Sequence, residues 1–168
     1  MVEFYEHVHD FDNIVAAFQG DDMGHKTGTL IKPDHLREYC LPWQKRFAEI
    51  AHSHGRPYFL HSCGNMVELM PDLIDDVGID GKHSFEDIIV PIEDFAAQYS
   101  DRIASLGGMD IDTLARFGPD EVRARTTEIM DRCSQHGRFA VGSGSSVANY
   151  IPVENYLSML DEAQGWRM

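Results

Sequence analysis

The sequence predicts an α/β fold in which parallel strands alternate with helices. Three observations carry the expectation. Short apolar runs, polar loops and stretches of helical periodicity follow one another five times along the chain. The loops that follow the apolar runs are the polar, glycine-bearing ones, as in parallel α/β folds that gather chemistry at the carboxyl ends of their strands. The chain has 168 residues, 43% of them hydrophobic, enough for a real core within one domain. Five strand–helix units are too few to close an eight-stranded barrel. The fold is therefore either an open sheet or part of a longer barrel.

The first strand is expected over residues 14–18, followed by a polar loop over 19–28. Pro33 opens a helix, because its missing N–H is tolerated in a first turn. Leu36, Tyr39, Cys40, Trp43, Phe47 and Ile50 continue that helix at helical spacing, and Gly55 lies beyond its end. A strand follows at 57–61, then a helix from 66 to about 75, then a short third strand at 78–81. Residues 92–99 read as a helix with Glu93 and Asp94 near its positive end. A fourth strand covers 102–107, with a short helix at 111–116 beyond it. A long helix covers 119–136 with Gly137 as its stop signal. The fifth strand is expected at 138–142 and the last helix at 152–163.

Charge narrows the function classes. Acidic residues number 28 against 14 basic ones, a net charge of −14. This disfavours nucleic acid, which needs a basic stripe, and an anionic membrane face. No apolar run reaches membrane-spanning length, and the N-terminus lacks a signal-peptide pattern. Cys40, Cys63 and Cys133 are odd in number and far apart, so a reducing, cytoplasmic setting is expected.

The densest chemistry lies in His61-Ser62-Cys63-Gly64-Asn65 at the end of the second strand. Residues two apart on an extended segment project to one side, and imidazole and thiolate both suit a zinc-like ion. A buried histidine beside an apolar cysteine is the competing reading, and two ligands need a third from elsewhere. Asp21 and Asp22 close the first strand, as a cation or acid–base pair or as solvated loop acids. After the third strand, His83 and Glu86 are candidate ligands or acid–base groups, whereas Ser84 and Asp87 are expected to cap a helix. Gly107 and Gly108 allow close backbone approach by a ligand. Asp110 either faces the pocket or caps the helix at 111–116. Gly142-Ser143-Gly144-Ser145-Ser146 offers amides and hydroxyls to an anion or makes a turn, and lacks the ending of a P-loop. Cys40 and Cys133 sit on helical patterns and read as packing residues.

Together these loops resemble the uroporphyrinogen decarboxylase superfamily, which includes zinc-dependent corrinoid methyltransferases of the methylcobamide:coenzyme M type. The resemblance runs from about residue 14 to residue 163. It is carried by Gly20-Asp21-Asp22-Met23-Gly24, Leu30-Ile31-Lys32-Pro33, His61-Ser62-Cys63-Gly64-Asn65, Lys82-His83-Ser84-Phe85-Glu86, Leu106-Gly107-Gly108-Met109-Asp110, and Gly142-Ser143-Gly144 with Pro152 and Glu154 downstream. It implies a (β/α)8 TIM-type barrel of which this chain is the C-terminal half, a single partial domain.

The resemblance implies zinc held by His61 and Cys63 in the methyltransferase branch, with a further cysteine in the last loop. Ser145 stands where that cysteine is expected, so a carboxylate must complete the shell, and Glu86 is expected over Asp22. Asp22, His83, Glu86 and Asp110 are the implied catalytic residues. Asp21, Met23, Gly108, Ser143 and Ser145 are the implied substrate-binding residues. A corrinoid would serve as methyl donor or acceptor, with a small-molecule substrate and a corrinoid protein as partners. The decarboxylase branch keeps a histidine in the last loop, which this chain lacks, and has a serine where Asp22 stands. Decarboxylation of a porphyrinogen or similar polycarboxylate is the alternative. A non-catalytic half-barrel that assembles with a partner is a second alternative. A half-barrel leaves open sheet edges, so self-association is expected.

Overall fold

The structure, a computed structural model, describes residues 1–167. It divides into two compact units, Met1–Lys82 and the remainder from His83 onward.

In the first unit, helix α1 (Val2–Val8) precedes strand β1 (Ala17–Gly20). A small antiparallel hairpin, β2 (Gly24–His25) and β3 (Gly28–Thr29), precedes helices α2 (Pro33–Tyr39) and α3 (Leu41–Ser53) and strand β4 (Tyr58–His61). β1 and β4 are parallel, with Ala17 opposite Tyr58 and Gly20 opposite His61. On β4 Tyr58 and Leu60 are buried while Phe59 and His61 are partly accessible, the period of two expected of a strand. Leu41, Phe47, Ala48, Ile50 and Ala51 of α3 supply much of this unit's core.

Several boundaries depart from expectation. The first strand is shifted toward the C-terminus, and Val15 is 80% exposed. Ile14 and Ala16 instead line a cavity of about 150 Å³ with Phe4, Tyr5, Val8 and His9. Helix α1, absent from the sequence reading, is held because Tyr5 stacks on Phe47 of α3 at 4.6 Å. The expected loop at 19–28 contains the β2–β3 hairpin. The single helix from Pro33 is two helices meeting at Cys40, and Tyr39 and Trp43 are exposed. The helix expected at 66–75 is a 3₁₀ turn (Val67–Leu69), a helical turn α4 (Met70–Asp72) and a π turn (Leu73–Val77). Pro71 supplies no backbone donor there, which breaks regular α-helical bonding. Gly78 adopts φ +79°, a left-handed end to that segment, so the next strand, β5, runs Gly81–His83 and not 78–81.

The second unit holds helix α5 (Ile92–Tyr99), strand β6 (Ala104–Met109), helices α6 (Ile111–Arg116) and α7 (Pro119–Cys133), strand β7 (Phe139–Ser143) and helix α8 (Val153–Gly165). β6 and β7 are parallel, with Gly108 opposite Gly142. Both strands start later than expected, and Arg138 at φ 48° stands outside β7. Ile92, Phe95, Ile103, Met109, Leu114, Val122, Ile129 and Met159 form the core. No helix begins at Ser84. The carbonyl of Glu86 accepts from the amides of Ile89 and Val90 in a turn, and α5 starts after Pro91. Strands and helices alternate in both units, and the pairs β1–β4 and β6–β7 are parallel, as the α/β expectation requires. No described helix is long and apolar enough to cross a membrane.

Candidate functional site

The β1–β4 register builds the site. Gly20 lies opposite His61, and the Asp21 amide extends the ladder by donating to the His61 carbonyl at 3.0 Å. The next residues of both strands therefore leave the sheet side by side. The Cys63 amide donates to Asp22 Oδ1 at 3.0 Å, and the Met23 amide donates to the buried Ser62 Oγ at 3.1 Å. One turn later Gly24 crosses directly against Gly64. A Cβ on Gly64 would lie 2.2 Å from the Gly24 carbonyl carbon, and Gly64 holds φ +80°. The Asn65 amide closes the contact on the His25 carbonyl at 2.8 Å. Residues 21–25 and 62–65 are thus fastened together bond by bond.

This fastening gathers three ligand-type side chains. One donor atom from each of Asp22, His61 and Cys63 lies within 4.8 Å of the others. His61 Nε2 is 3.4 Å from Cys63 Sγ and 3.6 Å from Asp22 Oδ1. The His61 side chain is 16% exposed and that of Asp22 59%. The Cys63 amide, its thiol and the nearby His61 hold the Asp22 carboxyl below the usual carboxylate range against a desolvation penalty, so it stays anionic at neutral pH. Zinc bonds of about 2.0–2.3 Å set tetrahedrally span about 3.3–3.6 Å between ligands. The separations of 3.4 and 3.6 Å from His61 fit that span, and a sulfur, nitrogen and oxygen set suits zinc. The carboxylate that joins His61 and Cys63 is Asp22. Asp21 accepts instead from Gln44 Nε2 at 2.6 Å, and Met23 is 3% exposed in the core.

The second unit brings a different group together. His83 Nε2 donates to the Ser143 carbonyl at 3.0 Å, which fixes its tautomer. Ser143 Oγ donates to the Ser145 carbonyl, and the Gly144 amide donates to the Met109 carbonyl. The serine–glycine run spends these donors inside the protein. Gly107 and Gly108 are filled by the chain itself: a Cβ would meet the Ser143 carbonyl and His83 ring at the first, and Ile92 at the second. Asp110 caps α6, accepting from the Asp112 amide, and its other oxygen accepts from the Asp87 amide, each at 2.7 Å. The Asp87 carboxylate meets Arg125 at 3.2 Å, so it caps no helix. Glu86 lies in the turn before α5. Cys133 is buried, with burial pushing its thiol up to about 12, and Cys40 is raised by burial.

Sequence reasoning missed Gln44 and Ser62. The signal for Gln44 was a polar side chain between Leu41 and Ala48 on the apolar face of α3, where a buried amide needs partners.

The sequence model of the uroporphyrinogen decarboxylase (URO-D) family matches residues 11–166. No curated protein sequence matches the chain. A solved structure, a methyltransferase from Methanosarcina mazei, superposes with a TM-score of 0.76 over 98% of this chain at 19% identity. The chain spans 45% of that protein's length. Likeness at this identity is a likeness of fold: an α/β arrangement forming part of a (β/α)8-type barrel.

Proposed function

The chain belongs to the uroporphyrinogen decarboxylase family, and within it we propose a metal-assisted, corrinoid-linked methyltransferase-type role. The observation that carries the reading is the convergence of Asp22, His61 and Cys63 at the ends of β1 and β4. His61, Cys63 and Asp22 would hold zinc. Bound zinc would supply a Lewis acid that lowers the pKa of a small thiol substrate. Cys63 contributes soft thiolate character and Asp22 a fixed negative charge. The buried Ser62 and Met23, with the close approach of Gly64 to Gly24, keep the two loops in register. The methyl group would come from a methylated corrinoid, free or carried by a protein. The likeness of fold to a solved methyltransferase supports this branch of the family.

Zinc content of purified protein tests the reading. Wild type, Cys40→Ala and Cys133→Ala are expected to hold zinc stoichiometrically, and Cys63→Ala to lose it. Methyl transfer from methylcobalamin to a small thiol, followed by absorbance, is expected only from the zinc-holding forms. Equal metal content in all four proteins overturns the assignment.

The family match itself favours a second reading, metal-free decarboxylation of a porphyrinogen or similar polycarboxylate. Carbon dioxide release that persists in Cys63→Ala would select it.

A further inference from the structure

We propose that Gln44 and Tyr58 form a positioning relay that aims Asp22 at His61 and Cys63 by gripping the neighbouring Asp21. The inference rests on the metal reading of that site.

The relay begins in the core. Gln44 is 2% exposed and Tyr58 is fully buried. Burying an unpaired amide costs about 1–3 kcal/mol, so a glutamine on the apolar face of α3 needs a purpose for its polar atoms. Tyr58 Oη donates to Gln44 Oε1, and Gln44 Nε2 donates to Asp21 Oδ2 at 2.6 Å. The direction of the chain is fixed by inventory. A carboxylate only accepts, so the amide must turn its NH₂ toward Asp21 and its oxygen toward the tyrosine. Burial raises the Tyr58 hydroxyl well above its ordinary range, so it keeps the proton this arrangement needs.

Asp21 is the last residue of β1's ladder and Asp22 the first beyond it. The Asp22 side chain is 59% exposed, and its Oδ1 accepts from the Cys63 backbone amide. A carboxylate that open would sample several rotamers if its own backbone were loose. Two clamps remove that freedom: the Asp21 amide on the His61 carbonyl, and the Asp21 carboxylate on a buried, oriented amide. Outer groups of this kind set the geometry of metal ligands and commonly change metal affinity about 10–100-fold when removed. Asp21 is thereby a positioning residue acting through Asp22.

Titration with cobalt(II) alone, followed by thiolate-to-metal charge-transfer absorbance, tests the relay. Asp21 is exposed, so its variants remove no apolar core contact, and urea melts of each variant confirm that it is folded before titration. Asp21→Ala is expected to weaken cobalt binding about tenfold or more and alter the band. Asp21→Asn retains an oxygen that accepts from Gln44 and is expected to bind nearly as wild type does. That rescue separates positioning from charge, because a purely electrostatic role would make the two variants equally weak. Gln44→Met is expected to match Asp21→Ala, and the double variant to be no worse than either. Wild-type-like affinity and spectrum in Asp21→Ala overturn the relay alone, as does equal weakness of Asp21→Ala and Asp21→Asn. Failure of the wild type to bind cobalt sinks the metal reading and the relay with it.

Discussion

The amide nitrogen of Cys63 donates to Asp22 Oδ1 at 3.0 Å, so the candidate thiolate and the candidate carboxylate are tied together through backbone before any ion arrives. Asp22 and Glu86 are the two carboxylates proposed to complete the His61–Cys63 pair, and a direct comparison decides between them. Asp22→Ala is expected to reduce zinc affinity at least about tenfold, with Glu86→Ala near wild type. Competition against a chromogenic chelator reads the difference. The reverse order would return the role to Glu86.

The pair itself was legible because alternation along an extended chain is a local rule: β4 ends at His61, yet His61 Nε2 and Cys63 Sγ, two residues apart, still meet at 3.4 Å. The third partner was not legible. Choosing Asp22 over Glu86 depended on which residue of β1 faces His61, a register fixed by pairing between strands forty residues apart. The same limit explains α1, whose anchor is the Tyr5–Phe47 stack, and the exposure of Trp43, because the buried stripe of α3 runs through Leu41, Gln44, Phe47, Ala48 and Ala51 and leaves Trp43 outside it. Asp110 illustrates the opposite outcome, since its local alternative, a helix cap, is what its oxygens do.

Gly64 is expected to be irreplaceable. A methyl group there meets Gly24 backbone atoms at 2.2 and 2.5 Å, and φ +80° strains any other residue. Gly55 has a similar φ of +68° with nothing within 4 Å. Gly55→Ala therefore measures the dihedral cost alone, about 1–2 kcal/mol. In urea melts, Gly64→Ala should exceed that loss by at least about 2 kcal/mol. It should also lose metal uptake, since the clash lies beside Cys63. Equal losses in the two variants would contradict the crossing.

Self-association is expected through the first unit. Phe4, Val15 and Phe18 are 60%, 80% and 56% exposed, and Phe4 and Phe18 line the cavity beside α1. Apolar side chains grouped in this way mark an association surface. Sedimentation is expected to show dimers or larger species, and Val15→Asp to shift them toward monomer. A wild type that sediments as a monomer at high concentration would contradict this.

Arg125 holds the second unit's acidic cluster. The Glu93 side chain is 1% exposed and pairs with Arg125, which also reaches Asp87 and Glu128. Removing the close partner of a buried carboxylate costs up to about 3–5 kcal/mol, here reduced by Arg132, whose guanidinium stays 4.0 Å from Glu93. Arg125→Met is expected to cost about 2–4 kcal/mol by urea denaturation. Arg125→Met combined with Glu93→Leu should recover a large part of it, because the stranded charge is gone. If the double variant were less stable than the single one, the loss would lie in packing and not in charge.

The last expectation concerns pH. His9 is 2% exposed, and Arg56 donates to its Nδ1 at 3.0 Å. A guanidinium only donates, so Nδ1 must keep its lone pair and His9 must be neutral. Burial first, then the charges of Arg56 and His54, lower its pKa from the ordinary 6.5. The His54 ring stacks on His9 at 5.6 Å, and Asp10 sits 3.8 Å from the far nitrogen of His54. With the folded pKa below the unfolded one, the unfolded chain binds more protons between the two values. Stability is therefore complete above about pH 6.5 and falls as pH drops toward the folded pKa. The urea midpoint is expected to decline from about pH 7.5 to about pH 5.5 in the wild type and to decline less in His9→Phe, which has no proton to take up. Parallel declines in the two proteins would assign the acid sensitivity to another group.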